Sequence, residues 1–170
     1  MVFIVEDGTG LVSTANSYVT IAEIDAYLDR YSISVTPITW VGLSTANKER
    51  YAIRCTAILD GMYLQRYKGR KATYEQPLEW PRAEVYDASG QIVRWDIVPT
   101  KIKNAVAELC YRISNGTDIR SDVDRGPIKR EKIEGLEVEY FAGFSGDTLY
   151  QIVDDFLKDY IWSNGRNVHA

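Results

Sequence analysis

Leu78-Glu79-Trp80-Pro81-Arg82 opens the stretch around which this chain is organised, and Val98-Pro99 closes it. Pro81 and Pro99 each lack a backbone N–H and disfavour helix at the residue before them. The residues between them therefore cannot form one continuous helix, and we expect an irregular bridge between two long helices. The large indole of Trp80 is expected to pin the start of this bridge to the core.

Apolar residues with helical spacing predict a mainly α fold, a helical bundle of about four helices. Thr20 and Glu23 have the pattern of a capping box at the start of the first helix. Ser44 is the expected N-cap of the second helix, and Gly69 is its expected C′ residue. Pro99 is expected to be the first residue of the third helix. The predicted helices cover residues 20–31, 45–67, 99–114 and 147–162.

A small β-hairpin insertion is predicted between the third and fourth helices, over residues 128–141. Its centre is Glu134-Gly135, and a two-residue loop with glycine second is typical of a hairpin turn. The register that this turn imposes places oppositely charged residues directly across from one another on one face. The pairs expected to face each other are Lys132 with Glu137 and Arg130 with Glu139.

The composition is typical of one globular domain, with 170 residues of which 45% are hydrophobic and 26% charged. We predict a single domain over residues 1–162 and a flexible polar C-terminal tail over residues 163–170. No apolar run approaches the roughly 20 residues that a membrane-spanning helix needs, and no signal pattern begins the chain. We therefore expect a cytoplasmic protein with no membrane partner.

Residues that could carry catalysis are sparse. The one histidine is His169, next to the last residue, so a histidine general base or triad held by the core is not expected. Cys55 and Cys110 lie on different predicted helices, where we expect them reduced and buried rather than binding zinc. Asp122-x-Asp124 lacks the rest of a calcium-binding loop. We predict that the chain is not an enzyme and has no catalytic residue, metal site or cofactor.

A basic cluster with neighbouring aromatic residues is the first candidate site. Such a mixture can follow a strand of nucleic acid through charge and stacking. It can equally be a basic helix end that complements the helix dipole, or a rim that pairs with an acidic partner subunit. The net charge of −4 disfavours non-specific nucleic-acid binding, which depends on clustered cations. The cluster comprises Arg66, Lys68, Arg70 and Lys71, with Tyr67 and Tyr74 nearby.

The end of the last predicted helix is the second candidate site. Tyr160, Ile161 and Trp162 are consecutive, and consecutive side chains on a helix point about 100° apart. One small domain cannot easily bury all three, so we expect them, together with Phe156, to contact a partner. The alternative is that Tyr160 and Ile161 complete the core and only Trp162 lies at the surface.

Several short segments, in a fixed order between residues 5 and 160, carry a family resemblance. They are Val5-Glu6-Asp7-Gly8-Thr9-Gly10, Ala15-Asn16-Ser17-Tyr18-Val19, Leu78-Glu79-Trp80-Pro81-Arg82, Val85-Tyr86-Asp87, Val98-Pro99 with Ile102-Lys103-x-Ala105, Glu108-Leu109 and Leu136-Glu137-Val138-Glu139-Tyr140. Together they resemble the head–tail connector or head-completion adaptor family of tailed phages. Its members are often labelled DnaT-like single-stranded-DNA-binding proteins. The chain departs from the family pattern at residues 128–132 and after residue 162.

The resemblance implies a structural virion protein without an active site. Such an adaptor forms an oligomeric ring, expected to be a dodecamer, beneath the portal and links the capsid to the tail. Its partners would be the portal protein, a tail protein or second neck protein, and copies of itself, with phage DNA passing through the lumen. It would reside in the virion neck, and in the host cytoplasm during assembly. The alternatives are a single-stranded-DNA-binding DnaT-like protein, which would favour a net basic groove, and a host-side interaction module.

Overall fold

The computed structural model describes residues 2–31, 39–117, 131–133, 136–138 and 151–162, and helices dominate these ranges. The elements in chain order are α1 (Ile21–Tyr31), a 3₁₀ helix (Thr39–Gly42), α2 (Thr45–Tyr63), β1 (Arg70–Lys71), β2 (Arg82–Ala83), α3 (Thr100–Ser114), β3 (Glu131–Ile133), β4 (Leu136–Val138) and α4 (Gln151–Leu157). The predicted class, mainly α with a small hairpin, is confirmed. Within the described ranges, none of the helices combines the length and the hydrophobicity needed to cross a bilayer.

The chain forms two compact units, one made of Met1–Thr117 with Gln151–Ala170 and the other of Asp118–Tyr150. The first unit thus combines two segments that are separated in the sequence. The single domain expected over residues 1–162 stays a prediction, and the tail expected at 163–170 lies outside the described residues.

The start of α1 is the predicted capping box. The Thr20 backbone N–H donates to Glu23 Oε2 (2.8 Å), and the Glu23 N–H donates to Thr20 Oγ1 (3.1 Å). Two backbone donors that the first helical turn leaves unpaired are satisfied in this way.

Helix α2 starts as predicted, whereas α3 starts one residue later than predicted. Ser44 is the N-cap of α2, and its side chain accepts from the Asn47 N–H. Pro99 takes the N-cap position of α3 instead of the first helical one, because its ψ of 141° is extended. Its carbonyl accepts from the Ile102 and Lys103 N–H groups, so the helix begins at Thr100.

Two helices are shorter than predicted, because the segments that follow them pair with each other. The prediction that α2 continues to residue 67 is wrong: the helix ends at Tyr63, and Tyr67 forms an antiparallel bridge with Ile161. The described helix α4 likewise ends at Leu157 instead of reaching residue 162, while residues 147–150 lie outside the described ranges. The Trp162 N–H donates to the carbonyl of residue 66 (2.8 Å) and extends this pairing.

Gly69 serves a different purpose from the predicted helix C′ position. Strands β1 and β2, which were not predicted, pair antiparallel with Arg70 opposite Ala83. Gly69 has a φ of +67°, and a Cβ there would lie 2.2 Å from the carbonyl oxygen of Ala83. The residue is therefore required to let the two segments approach, since any side chain would collide with backbone.

The predicted hairpin register is confirmed in the second unit. The strands β3 and β4 pair antiparallel as Glu131 with Val138, Lys132 with Glu137 and Ile133 with Leu136. The turn at Glu134-Gly135 and the second charge pair, Arg130 with Glu139, lie outside the described residues.

Helix α3 lies at the centre of the first unit and packs against α1, α2 and α4. Every residue from Ala105 to Cys110 is buried, which a helix covered on one face only could not achieve. Both cysteines, Cys55 on α2 and Cys110 on α3, are buried free thiols, as predicted. Burial, and then the neighbouring Cys55, raise the pKa of the Cys110 thiol well above its ordinary value.

Candidate functional site

Trp80 is fully buried in a cluster of aromatic rings between the segments that follow α2 and α4. Its ring meets the Tyr67 ring edge-on, with centroids 5.9 Å apart, and the Tyr160 ring edge-on at 5.3 Å. Edge-to-face pairs of this kind contribute roughly 0.5–1.5 kcal/mol each beyond the area they bury. The expectation that Trp80 pins the bridge to the core is confirmed.

The partly buried carboxylate of Asp60 fixes the other side of this bridge. The Tyr18 hydroxyl donates to both oxygens of Asp60 (2.7 Å each), and the Glu79 N–H donates to Asp60 Oδ2 (3.2 Å). The Trp80 N–H in turn donates to the Tyr18 hydroxyl (3.0 Å). Burial raises the pKa of Asp60 to about 6, although the hydrogen bonds from Tyr18 and Glu79 lower it. Asp60 thus connects α2, the N-terminal segment and the bridge.

Arg82, at the end of the Leu78–Arg82 stretch, is a buried cation that holds the loop before β1. Its Nε donates to the carbonyl of Lys68 and its Nη2 to the carbonyl of Gly69, both at 2.8 Å. Its Nη1 pairs with Glu79 Oε2 at 3.0 Å, and the other oxygen of Glu79 pairs with Lys71. The planar guanidinium suits this task, because it presents several donors in a fixed fork.

The predicted basic cluster lies on the segment from the end of α2 to β1, and each of its cations contacts an acidic or carbonyl group of the same chain. Three of the four contacts involve partly or largely buried groups, whereas Arg70 and its partner are both exposed. The cluster therefore does not present a free basic track. The contacts are Arg66 with Asp154 (3.4 Å), Lys68 with the carbonyl of Asp159 (2.8 Å), Arg70 with Glu84 (2.9 Å) and Lys71 with Glu79 (3.0 Å).

Some residues of the predicted partner interface are buried in the structure, and others are exposed. Tyr160 and Ile161 are buried in the chain's own core, while Trp162 is 46% exposed, which is the geometry of the alternative. Phe156 is half-buried and packs edge-on against Tyr27. The Lys68 ammonium lies 5.7 Å from the centre of the Trp162 ring. A partner contact through this segment stays a prediction, and Trp162 is its accessible residue.

Two further surfaces carry large exposed apolar side chains, of which the sequence analysis named only Tyr74, as a neighbour of the basic cluster. We call Tyr86, Ile92 and Trp95 the hairpin surface, because Tyr86 and Ile92 face each other in a β-bridge. This turn is a different one from the hairpin of β3 and β4. The second surface surrounds a cavity of about 280 Å³. We call this cavity the loop cleft; its lining residues are Gly10, Leu11, Ser13, Thr73, Tyr74 and Glu75. Neither surface has a local sequence signal, since a lone exposed aromatic residue looks like a core residue in a sequence.

Among the described residues, no group of three or more His, Cys, Asp or Glu side chains is placed to hold a metal ion.

No curated protein and no solved structure gives a significant match to the chain. A family model described as "putative DnaT-like ssDNA binding protein" matches residues 1–170, the whole chain. The chain therefore belongs to this DnaT-like family.

Proposed function

We propose that this chain is a structural adaptor of the phage neck, a head–tail connector that forms an oligomeric ring beneath the portal. In this role it links the capsid to the tail, and DNA passes through the lumen of the ring. Its partners are the portal protein, a tail or second neck protein, and further copies of itself, in a dodecamer. It assembles in the host cytoplasm and resides in the virion.

The state of the basic cluster carries this proposal. A strand of nucleic acid is bound by cations that are free to neutralise phosphates. Here Arg66, Lys68 and Lys71 are committed to contacts within the fold that hold α4 and the bridge in place. Exposed aromatic side chains remain, and these are the residue types that anchor protein partners. The surface that the described residues present therefore suits protein contacts better than phosphate contacts.

The overall charge gives additional support. With a net charge of −4, copies of the chain around a channel would repel the phosphates of passing DNA. DNA could then slide through the ring without adhering to its wall. Such a conduit needs no catalytic group.

Single-stranded-DNA binding is the second candidate, and the family description supports it more directly than it supports the adaptor role. Trp95 and Tyr74 are exposed, and bases stack on such rings with little sequence preference. Arg94 next to Trp95 and the exposed Arg70 would supply positive charge. This candidate predicts that binding depends on the exposed aromatic rings.

Binding to the cognate portal tests the adaptor proposal. The purified chain is mixed with portal rings, and the mass of the complex is measured by native mass spectrometry. We expect several copies to bind each portal, and the Trp162→Ala variant to bind about tenfold or more weakly, as for an interface anchor. Val41→Ala, which removes another exposed apolar side chain, is the control and should bind normally. A wild-type chain that leaves the portal mass unchanged would contradict the proposal.

Fluorescence anisotropy with a labelled oligothymidine tests the second candidate. At about 150 mM salt we expect no binding tighter than the 10⁻⁴–10⁻⁶ M typical of non-specific contacts. If sub-micromolar binding is found, the variants Trp95→Ala and Arg70→Gln decide its origin, because both side chains are exposed and can be changed without disturbing the core. Loss of that binding in either variant would favour the single-strand-binding function over the adaptor.

A further inference from the structure

The hairpin surface is carried by a turn whose backbone is hydrogen-bonded across its two arms. The Val93 N–H donates to the Val85 carbonyl (2.8 Å), and the Asp87 N–H donates to the Gln91 carbonyl (2.9 Å). The Asp87 carboxylate also accepts from the Gln91 N–H, which closes the tip of the hairpin. Val85 belongs to the hairpin and its side chain is fully buried, so the neighbouring Tyr86, which points to the opposite side, is held towards solvent.

Each of the three large side chains of this surface is exposed to solvent. Tyr86 is 54% exposed, Ile92 65% and Trp95 58%. Tyr86 and Ile92 face each other in the β-bridge, and Trp95 follows three residues after Ile92. Contiguous exposed apolar side chains mark interaction sites. Tryptophan is among the residue types most often found to dominate binding.

The loop cleft is a second exposed surface of the same chain, formed by two loops. The Thr73 hydroxyl donates to the Gly10 carbonyl (2.6 Å) and joins the two loops that form the cleft. The Thr73 N–H donates to the side chain of the buried Gln76 (2.9 Å), within the second of these loops. Its walls are Leu11, 76% exposed, and Tyr74, fully exposed. The cavity of about 280 Å³ has room for one large side chain.

We propose that Trp95 of one copy of this chain enters the loop cleft of a second copy. The charges at the two surfaces are complementary. Glu75 lines the cleft and has no ion-pair partner among the described residues, while Arg94 directly precedes Trp95. Among the described residues, Arg94 forms an ion pair with the partly exposed Asp96, and solvent-exposed pairs of this kind exchange partners at little cost. Insertion of the indole would bring Arg94 next to Glu75 of the neighbouring copy.

A second copy is the proposed occupant of the loop cleft, because the hairpin surface and the loop cleft both lie on this chain. Contacts between two different surfaces build closed rings when the rotation between copies closes, and paired two-fold contacts when both surfaces meet at once. The inference deepens the proposed function, since a ring requires contacts between copies. It does not depend on the portal, so the two can fail separately.

Photo-crosslinking tests the contact. Trp95 is replaced with p-benzoylphenylalanine, which keeps an aromatic ring at the position, and the irradiated chain is digested and sequenced by mass spectrometry. We expect a covalent dimer whose crosslink joins position 95 of one chain to residues 10–13 or 73–75 of another. The same amino acid at Val41, another exposed position, is the control.

A charge exchange provides the second measurement. Glu75→Arg alone should weaken self-association by about tenfold or more, because it places like charges together. The double variant Glu75→Arg with Arg94→Glu should restore it. A crosslink yield at position 95 no higher than that at position 41, or a double variant no better than the single one, would overturn the inference. If portal binding persists in that case, the adaptor proposal stands without this contact.

Discussion

Replacing Trp80 with alanine is expected to lower the free energy of unfolding by about 3–5 kcal/mol, the usual cost of deleting a buried tryptophan side chain. The indole is fully buried and packs against Tyr67 and Tyr160, so its removal leaves a cavity where the segments after α2 and α4 meet. Urea denaturation followed by circular dichroism measures the effect. The loss should be accompanied by increased exposure of the tyrosine rings to solvent.

Trp95→Ala is the matched control, because it removes the same side chain from an exposed position. Its free energy of unfolding should stay within about 0.5 kcal/mol of the wild-type value. Equal effects of the two substitutions would show that the bridge is not pinned through Trp80.

Replacing Arg82 with alanine is expected to cost about 3–5 kcal/mol, as is found when one partner of a buried ion pair is removed. The substitution leaves the carbonyls of Lys68 and Gly69 without their donors, and it leaves Glu79 with Lys71 alone. Arg82→Lys should recover only part of the loss, because an ammonium cannot reproduce the fork of the guanidinium. The same urea titration gives both values.

Arg70→Ala is the control for charge removal, since Arg70 lies on the adjacent strand and forms an ion pair that is exposed to solvent. Its urea midpoint should match that of the wild-type protein. A midpoint shift as large as that of Arg82→Ala would mean that general charge, and not the buried fork, stabilises this region.

The features that the sequence predicts well are those encoded by neighbouring residues. The capping box of Thr20 and Glu23 and the N-cap at Ser44 are satisfied within one turn of helix. The hairpin register at Lys132 and Glu137 likewise follows from a short turn between adjacent strands. In each case, both partners of the interaction lie within a few residues of each other.

The helix ends were missed for a physical reason. Tyr67 and Ile161 continue the apolar spacing of their helices, yet they are buried through a bridge between two segments far apart in sequence. A short apolar run does not reveal whether helix or extended chain buries it.

The candidate site shows the same limit. The cations of the basic cluster look free in the sequence, because partners such as Asp154 and Asp159 lie about ninety residues away. The sequence around Asp60 likewise gives no sign that the Tyr18 hydroxyl and the Glu79 N–H both donate hydrogen bonds to its carboxylate. Such contacts depend on tertiary packing, and sequence spacing alone does not specify them.

The bridge between Tyr67 and Ile161 has a consequence for biosynthesis. The first unit needs Val153 and Leu157, both fully buried, and then Ile161 to close over the aromatic cluster. A ribosome adds roughly 5–20 residues per second, and domains fold as units once their parts have emerged. Helices α1 to α3 therefore leave the ribosome well before the residues that cover them. The core can close only after residue 161 has emerged, so a nascent chain stalled before residue 151 would expose the surface that α4 normally covers.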